Sequence, residues 1–379
     1  MTGCRGLAAT AVARLLPSSV RNESQGLIIT SNQRAYTSAL LHQNLLISDH
    51  LLCTTVHGAA DLLLEDLRSR GANPATPVDD ATVRSDFRGV IATLRAIEIL
   101  GSAGIVVGHS TDTLPDLDRL LASVDHGLLG VLDCGSPLRF RVELRDAAHR
   151  RKVIDAIKVA TGWINDPADW TVNILRRAGV WIAEVGELHY SRRFGRLRRQ
   201  PWSTNPVLAA VLVRLAKLNS GQLVHDPFCG TGTLLIAAHR AYETLRITGT
   251  DHDRRTLEMA RGNLDDHQVA ATVTSTAALP FPHPDHSVDR VVSNVPFGKQ
   301  VGNHGDNVIL YPRLMTEIAR TLRPDGRAVL LTEDKRLLVE SVARTPGLKI
   351  IRERLLRYSG ASPTAYVIMR TRTVRHRRR

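Results

Sequence analysis

At 379 residues, with 43% hydrophobic and 23% charged side chains, the chain has an ordinary globular composition and room for two or three domains. Its net charge of +13, carried by 50 Lys and Arg, suits an acidic polymer as partner, because guanidinium groups match phosphate oxygens; an arginine-biased proteome is the other source of such an excess. The four cysteines, Cys4, Cys53, Cys134 and Cys229, form no CxxC pair, which excludes a zinc ribbon and a disulfide scaffold, and no apolar run reaches the roughly 18 residues that span a bilayer.

In chain order, residues 6–16 read as a first helix, with Ala and Leu on one face. Strands are expected over 27–30, 45–48 and 140–144, and helices over 93–99, 117–124 and 150–161. This is a mixed α+β region, as one module or two small ones. Residues 192–200 (RRFGRLRRQ) hold five arginines around one aromatic and precede Pro201. That stretch reads as a basic linker along a nucleic-acid backbone or as a solvated charge run. From about residue 222 the pattern alternates: strands at 223–224, 246–250, around Val273, at 288–293 and at 327–332, with helices over 234–242, 256–264 and 310–322. Asp334 is placed to N-cap another helix. Two closing strands, 349–358 and 364–370, are joined by a short turn and suggest an antiparallel addition at one edge. Repeated βα units imply a parallel, doubly wound α/β sheet. The chain therefore divides into an α+β region over 1–190, a basic linker over 191–205 and a Rossmann-like domain over 206–379. Its basic tail begins after Val374.

Two motifs carry chemistry. Asp226-Pro-Phe-Cys-Gly-Thr-Gly-Thr233 sits between a strand and a helix. Gly230 and Gly232 let a ligand approach the backbone and allow φ angles closed to other residues. This is neither the GxGxxG of dinucleotide enzymes nor a P-loop, and it resembles the DP(F/M)CG(S/T)G loop of amino-group methyltransferases. Asp251, followed by His252, ends the second strand, where an acid accepts hydrogen bonds from ribose hydroxyls. Where such enzymes place an adenine-holding Asp after the third strand, this chain has Ser275 and Thr276.

Asn294-Val295-Pro296-Phe297 ends the fourth strand, before Gly298-Lys299. It resembles the (D/N)PP(Y/F) signature of N-methyltransferases. A base amino nitrogen is a poor nucleophile because its lone pair is delocalised. An Asn oxygen and a neighbouring carbonyl can each accept one of its N–H groups and turn the nitrogen toward a methyl donor. Phe297 offers a face for an extruded base to stack on. His283 and His286 lie among prolines and read as solvated loop residues, so no metal is expected.

Together, DPFCGTGTLLIAA, NVPFGKQVG and LYPRLMTEIARTLRPDGRAVLLTED closely resemble the THUMP-domain tRNA guanine-N2 methyltransferases, specifically over about 201–334 and loosely over 140–186. The opening Gly3-Cys-Arg-Gly-Leu7 is also similar to the family's start. The resemblance implies a ferredoxin-like and THUMP-like RNA-binding region, then a class I methyltransferase domain using S-adenosylmethionine. It maps cofactor contacts onto Asp226, Phe228, Gly230, Gly232 and Asp251, and base contacts onto Asn294, Pro296 and Phe297. Thr204, within Ser203-Thr-Asn-Pro206, falls where the family closes over the cofactor's methionine part. His252, Ser275, Thr276 and Asn294 complete the expected cofactor set. Arg192, Arg193, Arg196, Arg198, Arg199 and Lys299 are the expected RNA contacts. The resemblance implies a monomeric cytoplasmic enzyme that forms N2-methylguanine in tRNA. Ribosomal RNA is the alternative target, including a resistance-type modification. A non-catalytic RNA-binding protein with a decayed methyltransferase fold is the contrasting reading, opposed by the intact Gly230, Gly232, Asp251, Asn294 and Phe297.

Overall fold

The computed structural model describes residues 46–132, 137–276, 279–296 and 304–371. The expected elements at 6–16 and 27–30, Cys4, Cys134, Phe297, Lys299 and the basic tail lie outside the described residues.

The first part of the described chain builds β1 (Leu46–Thr54), α1 (Ala60–Arg68), β2 (Ala72–Pro77), β3 (Thr82–Val90), α2 (Ile91–Arg95), β4 (Ser102–His109) and α3 (Leu117–His126). It continues with β5 (Arg139–Glu143), α4 (Ala147–Thr161), β6 (Ile164–Asn165), β7 (Val172–Arg177) and β8 (Val180–Val185). These strands form one mixed sheet in the order β2-β3-β1-β4-β8-β7-β5-β6. Most neighbours are antiparallel, but β5 runs parallel to β6 and β7. A parallel pair needs a crossover, and α4 supplies it. That helix starts where Asp146 accepts a bond from the His149 amide at 2.9 Å and ends at Gly162, whose φ is +69°. The mixed α+β character is as expected, and the sheet is continuous rather than split into two modules. The helix expected over 93–99 stops at Arg95. Residues 97–100 instead turn sharply, with the Leu100 amide bonded to the Ile97 carbonyl.

The second part adds α5 (Tyr190–Arg193), α6 (Pro206–Ala216), β9 (Leu223–Asp226), α7 (Thr233–Ala241), β10 (Arg246–Asp251), α8 (Arg254–Asp266) and β11 (Ala271–Ser275). After these come β12 (Val288–Asn294), α9 (His304–Thr321), β13 (Leu322–Thr332), α10 (Lys335–Ala343), β14 (Leu348–Leu355) and β15 (Thr364–Arg370). The strand order is β11-β10-β9-β12-β13-β15-β14. Strands β9 to β13 are parallel, and β15 runs antiparallel to both its neighbours. The doubly wound sheet with an antiparallel edge is the expected one. Its strand order reverses between β9 and β12, and ligands of open α/β sheets bind at the carboxyl ends of strands flanking such a switch. Asp226, Asp251, Ser275 and Asn294 are the last residues of their strands there.

Helix α6 is buried along almost its whole length. Asn205 caps it, accepting bonds from the Val207 and Leu208 amides at 2.8 and 3.2 Å, and Pro206 fills the first position, where no N–H is needed. One hydrophobic cluster runs through both sheets and α6. Polar ties reinforce it: Arg354 pairs with Asp61 at 2.6 and 2.7 Å, and Arg240 with Glu98 at 2.8 and 3.1 Å.

Candidate active site

The β9–α7 loop takes its shape from its glycines. Gly230 and Gly232 have φ of +52° and +82°, a region that side chains with a Cβ rarely enter. A Cβ built on Gly230 meets nothing within 4 Å, so there is open space for a ligand over that backbone. Asp251 holds the loop from the next strand. Its Oδ2 accepts the Gly230 amide at 2.9 Å, and its Oδ1 accepts the Asp253 amide at 3.0 Å. Each carboxylate oxygen keeps a second lone pair for a further donor. Ser275 pairs with Asp251 across β10 and β11, and the Thr276 amide bonds to the Asp251 carbonyl. The Ser275, Thr276 and His252 side chains are exposed beside it.

Asp226 is fully buried. Its Oδ1 accepts the Ser293 hydroxyl at 2.6 Å and the Phe228 amide at 3.1 Å. Burial pushes its pKa up to about 7, with Asp251 adding to the rise and the two hydrogen bonds opposing it. The Ser293–Asp226 bond ties the fourth strand to the glycine loop.

Asn294 is the centre of the arrangement. Its Nδ2 donates to Thr204 Oγ1 at 3.1 Å, while its Oδ1 is buried with no hydrogen-bond partner among the described residues. Orphaned buried acceptors are uncommon and costly, by about 1–3 kcal/mol. This one is what a donor amine would satisfy. Thr204 is held in turn: neighbouring Ser203 bonds to Thr231 of the glycine loop at 3.1 Å and to the Gln200 amide at 2.9 Å. Beyond Asn294, Tyr311 is fully buried and donates to the Pro296 carbonyl at 2.7 Å. Its hydroxyl also bonds to Thr332 at 2.7 Å. The tetrapeptide and the serine before it are thus fastened at Ser293, Asn294 and Pro296 from three separate segments.

The structure brings together Thr204, Asp226, Phe228, Gly230, Gly232, Asp251, His252, Ser275, Thr276, Asn294, Val295 and Pro296 along one sheet edge. It does not bring the linker arginines to that edge as a free basic strip. Arg193, expected as an RNA contact, is 5% exposed. Its guanidinium donates to the carbonyls of Arg95, Ile97, Glu98 and Leu100 at 2.8 to 3.3 Å, and burial lowers its pKa to about 10. Arg192 lies over the Trp170 ring at 4.6 Å and bonds to the Trp170 carbonyl. Both serve the interior because turn carbonyls and a ring face lie within their reach. Arg196, Arg198 and Arg199 are exposed, Arg198 pairing with Asp266 at 2.9 Å. The linker itself is strapped to α8, since Asn263 bonds to both the amide and the carbonyl of Arg198. His283 is also not a solvated loop residue: it bonds Thr248 at 3.1 Å and packs edge-on against buried His225. Among the described residues no group of three or more His, Cys, Asp or Glu could hold a metal. Ser203, Ser293, Asn263, Tyr311 and Thr332 were not singled out from the sequence. For Ser293 the signal was its position, one residue before Asn294 on the strand beside Asp226.

Residues 193–362 match the family model described as UPF0020, the RMKL-like methyltransferase domain. Over that span, which is under half of the chain, the sequence is similar to RMKL-like methyltransferase domains. Curated relatives include the tRNA (guanine(6)-N(2))-methyltransferase THUMP3 of Mus musculus, 29% identical over 157 residues, covering 38% of this chain and 31% of that protein. The tRNA (guanine(6)-N2)-methyltransferase of Thermus thermophilus is 30% identical over 194 residues, covering 49% of this chain and 55% of the relative. The matches therefore span between about a third and about half of these relatives' lengths. The crystal structure of TrmN from Thermus thermophilus superposes with a TM-score of 0.68 at 26% identity, covering 85% of this chain and 99% of that one. SMU.472, solved with SAH, shares the fold at a TM-score of 0.62 and 17% identity, covering 86% and 99%. These likenesses extend beyond the methyltransferase domain into the first sheet.

Proposed function

We propose that the chain is an S-adenosylmethionine-dependent RNA methyltransferase that methylates the exocyclic N2 of a guanine in tRNA. The observation that carries this reading is the buried, unpartnered Asn294 Oδ1, aimed by the Thr204 contact to the other end of the same amide. The guanine amino group would donate to it. That bond strengthens as the nitrogen pyramidalises, so it favours the transition state over the bound ground state. Asn has no useful basicity, and the proton leaves to water after transfer. The cofactor supplies an electrophilic methyl group. Open backbone at Gly230, the spare lone pairs of Asp251 and the hydroxyls of Ser275 and Thr276 would hold it. Phe297 would stack on the base, and the first 190 residues would bind the rest of the RNA. The same reading makes the protein a cytoplasmic monomer.

The relatives named as tRNA guanine-N2 methyltransferases favour tRNA over other acceptors. Incubating the chain with labelled cofactor and separate pools of tRNA, rRNA and DNA, followed by nucleoside mass spectrometry, tests the assignment. N2-methylguanosine in the tRNA pool is expected. Label confined to rRNA or DNA would overturn the substrate, and no incorporation with any pool would overturn the activity.

A further inference from the structure

A cavity of about 460 Å³ lies where the first sheet meets the active-site edge of the second. Its walls come from the ends of β1, β4, β7 and β8 on one side and from Asn205 and the β14–β15 turn on the other. Three features make it more than a seam. First, both walls are fixed: the Arg357 amide bonds to the His57 carbonyl, and Arg354 donates to both the Gly58 carbonyl and Asp61. Second, the charged groups of the lining are biased toward cations. Arg177 is braced by buried Glu184 at 3.4 Å and by Ser102 at 3.4 Å, and Arg357 stands exposed at the rim. Among the described residues Glu184 is the one carboxylate in the lining, and Arg177 already neutralises it. Third, aromatic side chains sit beside those charges: Tyr190 lies against His189 at 4.7 Å, and the Tyr358 hydroxyl accepts from Asn205 Nδ2 at 2.9 Å.

Asn205 links this space to the catalytic centre. It follows Thr204, the residue that aims Asn294, and consecutive Cα atoms are only about 3.8 Å apart. A ligand contacting Asn205 and Tyr358 therefore lies one residue from the partner of the catalytic amide.

Resting on the RNA reading, we infer that this cavity receives one nucleotide of the substrate RNA outside the target base, its phosphate on Arg357 and Arg177 and its base against Tyr358 and Tyr190. Its volume is in the range of small-ligand sites, about 300–1,000 Å³. Cationic and aromatic groups side by side are the means by which unpaired nucleotides are held without base readout. The cavity thus fixes the strand beside the target rather than the target itself.

The test uses the full chain, a tRNA transcript that the wild type methylates and the rim substitution Arg357→Glu, at an exposed side chain. Expected is at least a tenfold rise in KM and in the transcript's dissociation constant, with kcat and S-adenosylhomocysteine affinity preserved. A 4-thiouridine-substituted transcript should crosslink to residues 357–360 or 189–190. Wild-type KM in Arg357→Glu overturns the inference, and so does weakened binding with crosslinks only elsewhere, because the charge would then act at a distance. Neither result touches the methyltransferase reading. A wild-type chain that neither binds nor methylates any RNA would sink both.

Discussion

The two sheets differ in where their functional polar groups lie. In the methyltransferase domain, parallel strands end together, and the polar side chains at those ends are buried or clamped by one another. Asp226, Ser293, Thr204 and Asn294 form such a set, leaving two buried acceptors open among the described residues, Asn294 Oδ1 and Asp226 Oδ2. The largely antiparallel first sheet also buries polar side chains such as Ser85, Asn173 and Glu184, but several of its arginines lie on outer faces and over rings. Arg141 stacks over Trp170 at 4.2 Å and Arg176 over Trp181 at 4.4 Å, with Arg145 exposed nearby. One region is organised to position individual buried atoms, the other to present a surface. Chemistry that must fix a nitrogen needs the first arrangement, and contact with a long polyanion needs only the second.

The largest expected effect lies on the Asn294 oxygen. Asn294→Ala should lower single-turnover methyl transfer by about 10²–10³-fold, the usual loss when one preorganised hydrogen-bonding group is removed from a transition state. Cofactor affinity by calorimetry should stay unchanged. Near wild-type turnover would show that the tetrapeptide is only a turn.

Next comes Arg193, whose burial gives it to the fold rather than to RNA. Arg193→Met removes the donors for four carbonyls. At about 1–3 kcal/mol for each buried group left unpaired, part of it relieved by water, a loss of roughly 3 kcal/mol or more in urea unfolding is expected. An unchanged urea midpoint together with weakened RNA binding would return Arg193 to the RNA surface.

Asp226 gives a pH signature. Burial holds its folded-state pKa at about 7, above its unfolded value. A raised pKa means the folded state binds the proton more tightly. The stabilisation from Asp226 is full below the unfolded value and is lost as pH rises through about 7. Buried His225, lowered to about 3 by desolvation, works in the opposite sense, since its stabilisation is lost as pH falls below its unfolded value of 6.5. The difference between wild type and Asp226→Asn isolates the first effect, about 1.4 kcal/mol for each pH unit that separates the folded and unfolded pKa values. A difference that does not change between about pH 4 and pH 8 would place Asp226 in ordinary solvent.

The smallest effect concerns the exposed linker arginines. Arg196→Gln with Arg199→Gln should flatten the slope of log affinity against log salt by about one unit for each phosphate no longer neutralised. An unchanged slope would leave the first sheet as the electrostatic surface.

Much of the methyltransferase domain was readable because its strands and helices alternate and its two motifs fall at strand ends. The first sheet was readable only in part: the strands expected at 45–48 and 140–144 fall on β1 and β5, while β2, β3, β4, β7 and β8 stayed hidden for local reasons. The β7–β8 hairpin turns through Ala178 and Gly179, both with positive φ. That is a primed turn built without the Asn or Asp that usually announces one. β3 reads as polar (TVRSDFRGV), yet it buries Val83, Ser85 and Phe87 on one face. β4, with Gly104 and Gly108 near its two ends, concealed a real apolar run. At the site, sequence located Asn294, Asp251 and, as a cofactor residue, Thr204, but not the bond between Thr204 and Asn294, which joins positions 90 apart. The five arginines of 192–200 look alike as letters, and only burial separates Arg193 from Arg196.

Arg193 has a mechanical consequence. It grips the turn at 95–100, its own carbonyl accepts a bond from Arg240 of α7 at 3.0 Å, and Arg240 in turn holds Glu98. The joint is therefore welded on both sides, and bending there would strand several buried carbonyls at once. Closing around a duplex by moving the two sheets would break these bonds and is therefore costly. If the target is a base within paired RNA, compliance has to reside in the nucleic acid. Sequences that unstack easily would then be preferred at the modified position, even where no side chain reads their bases.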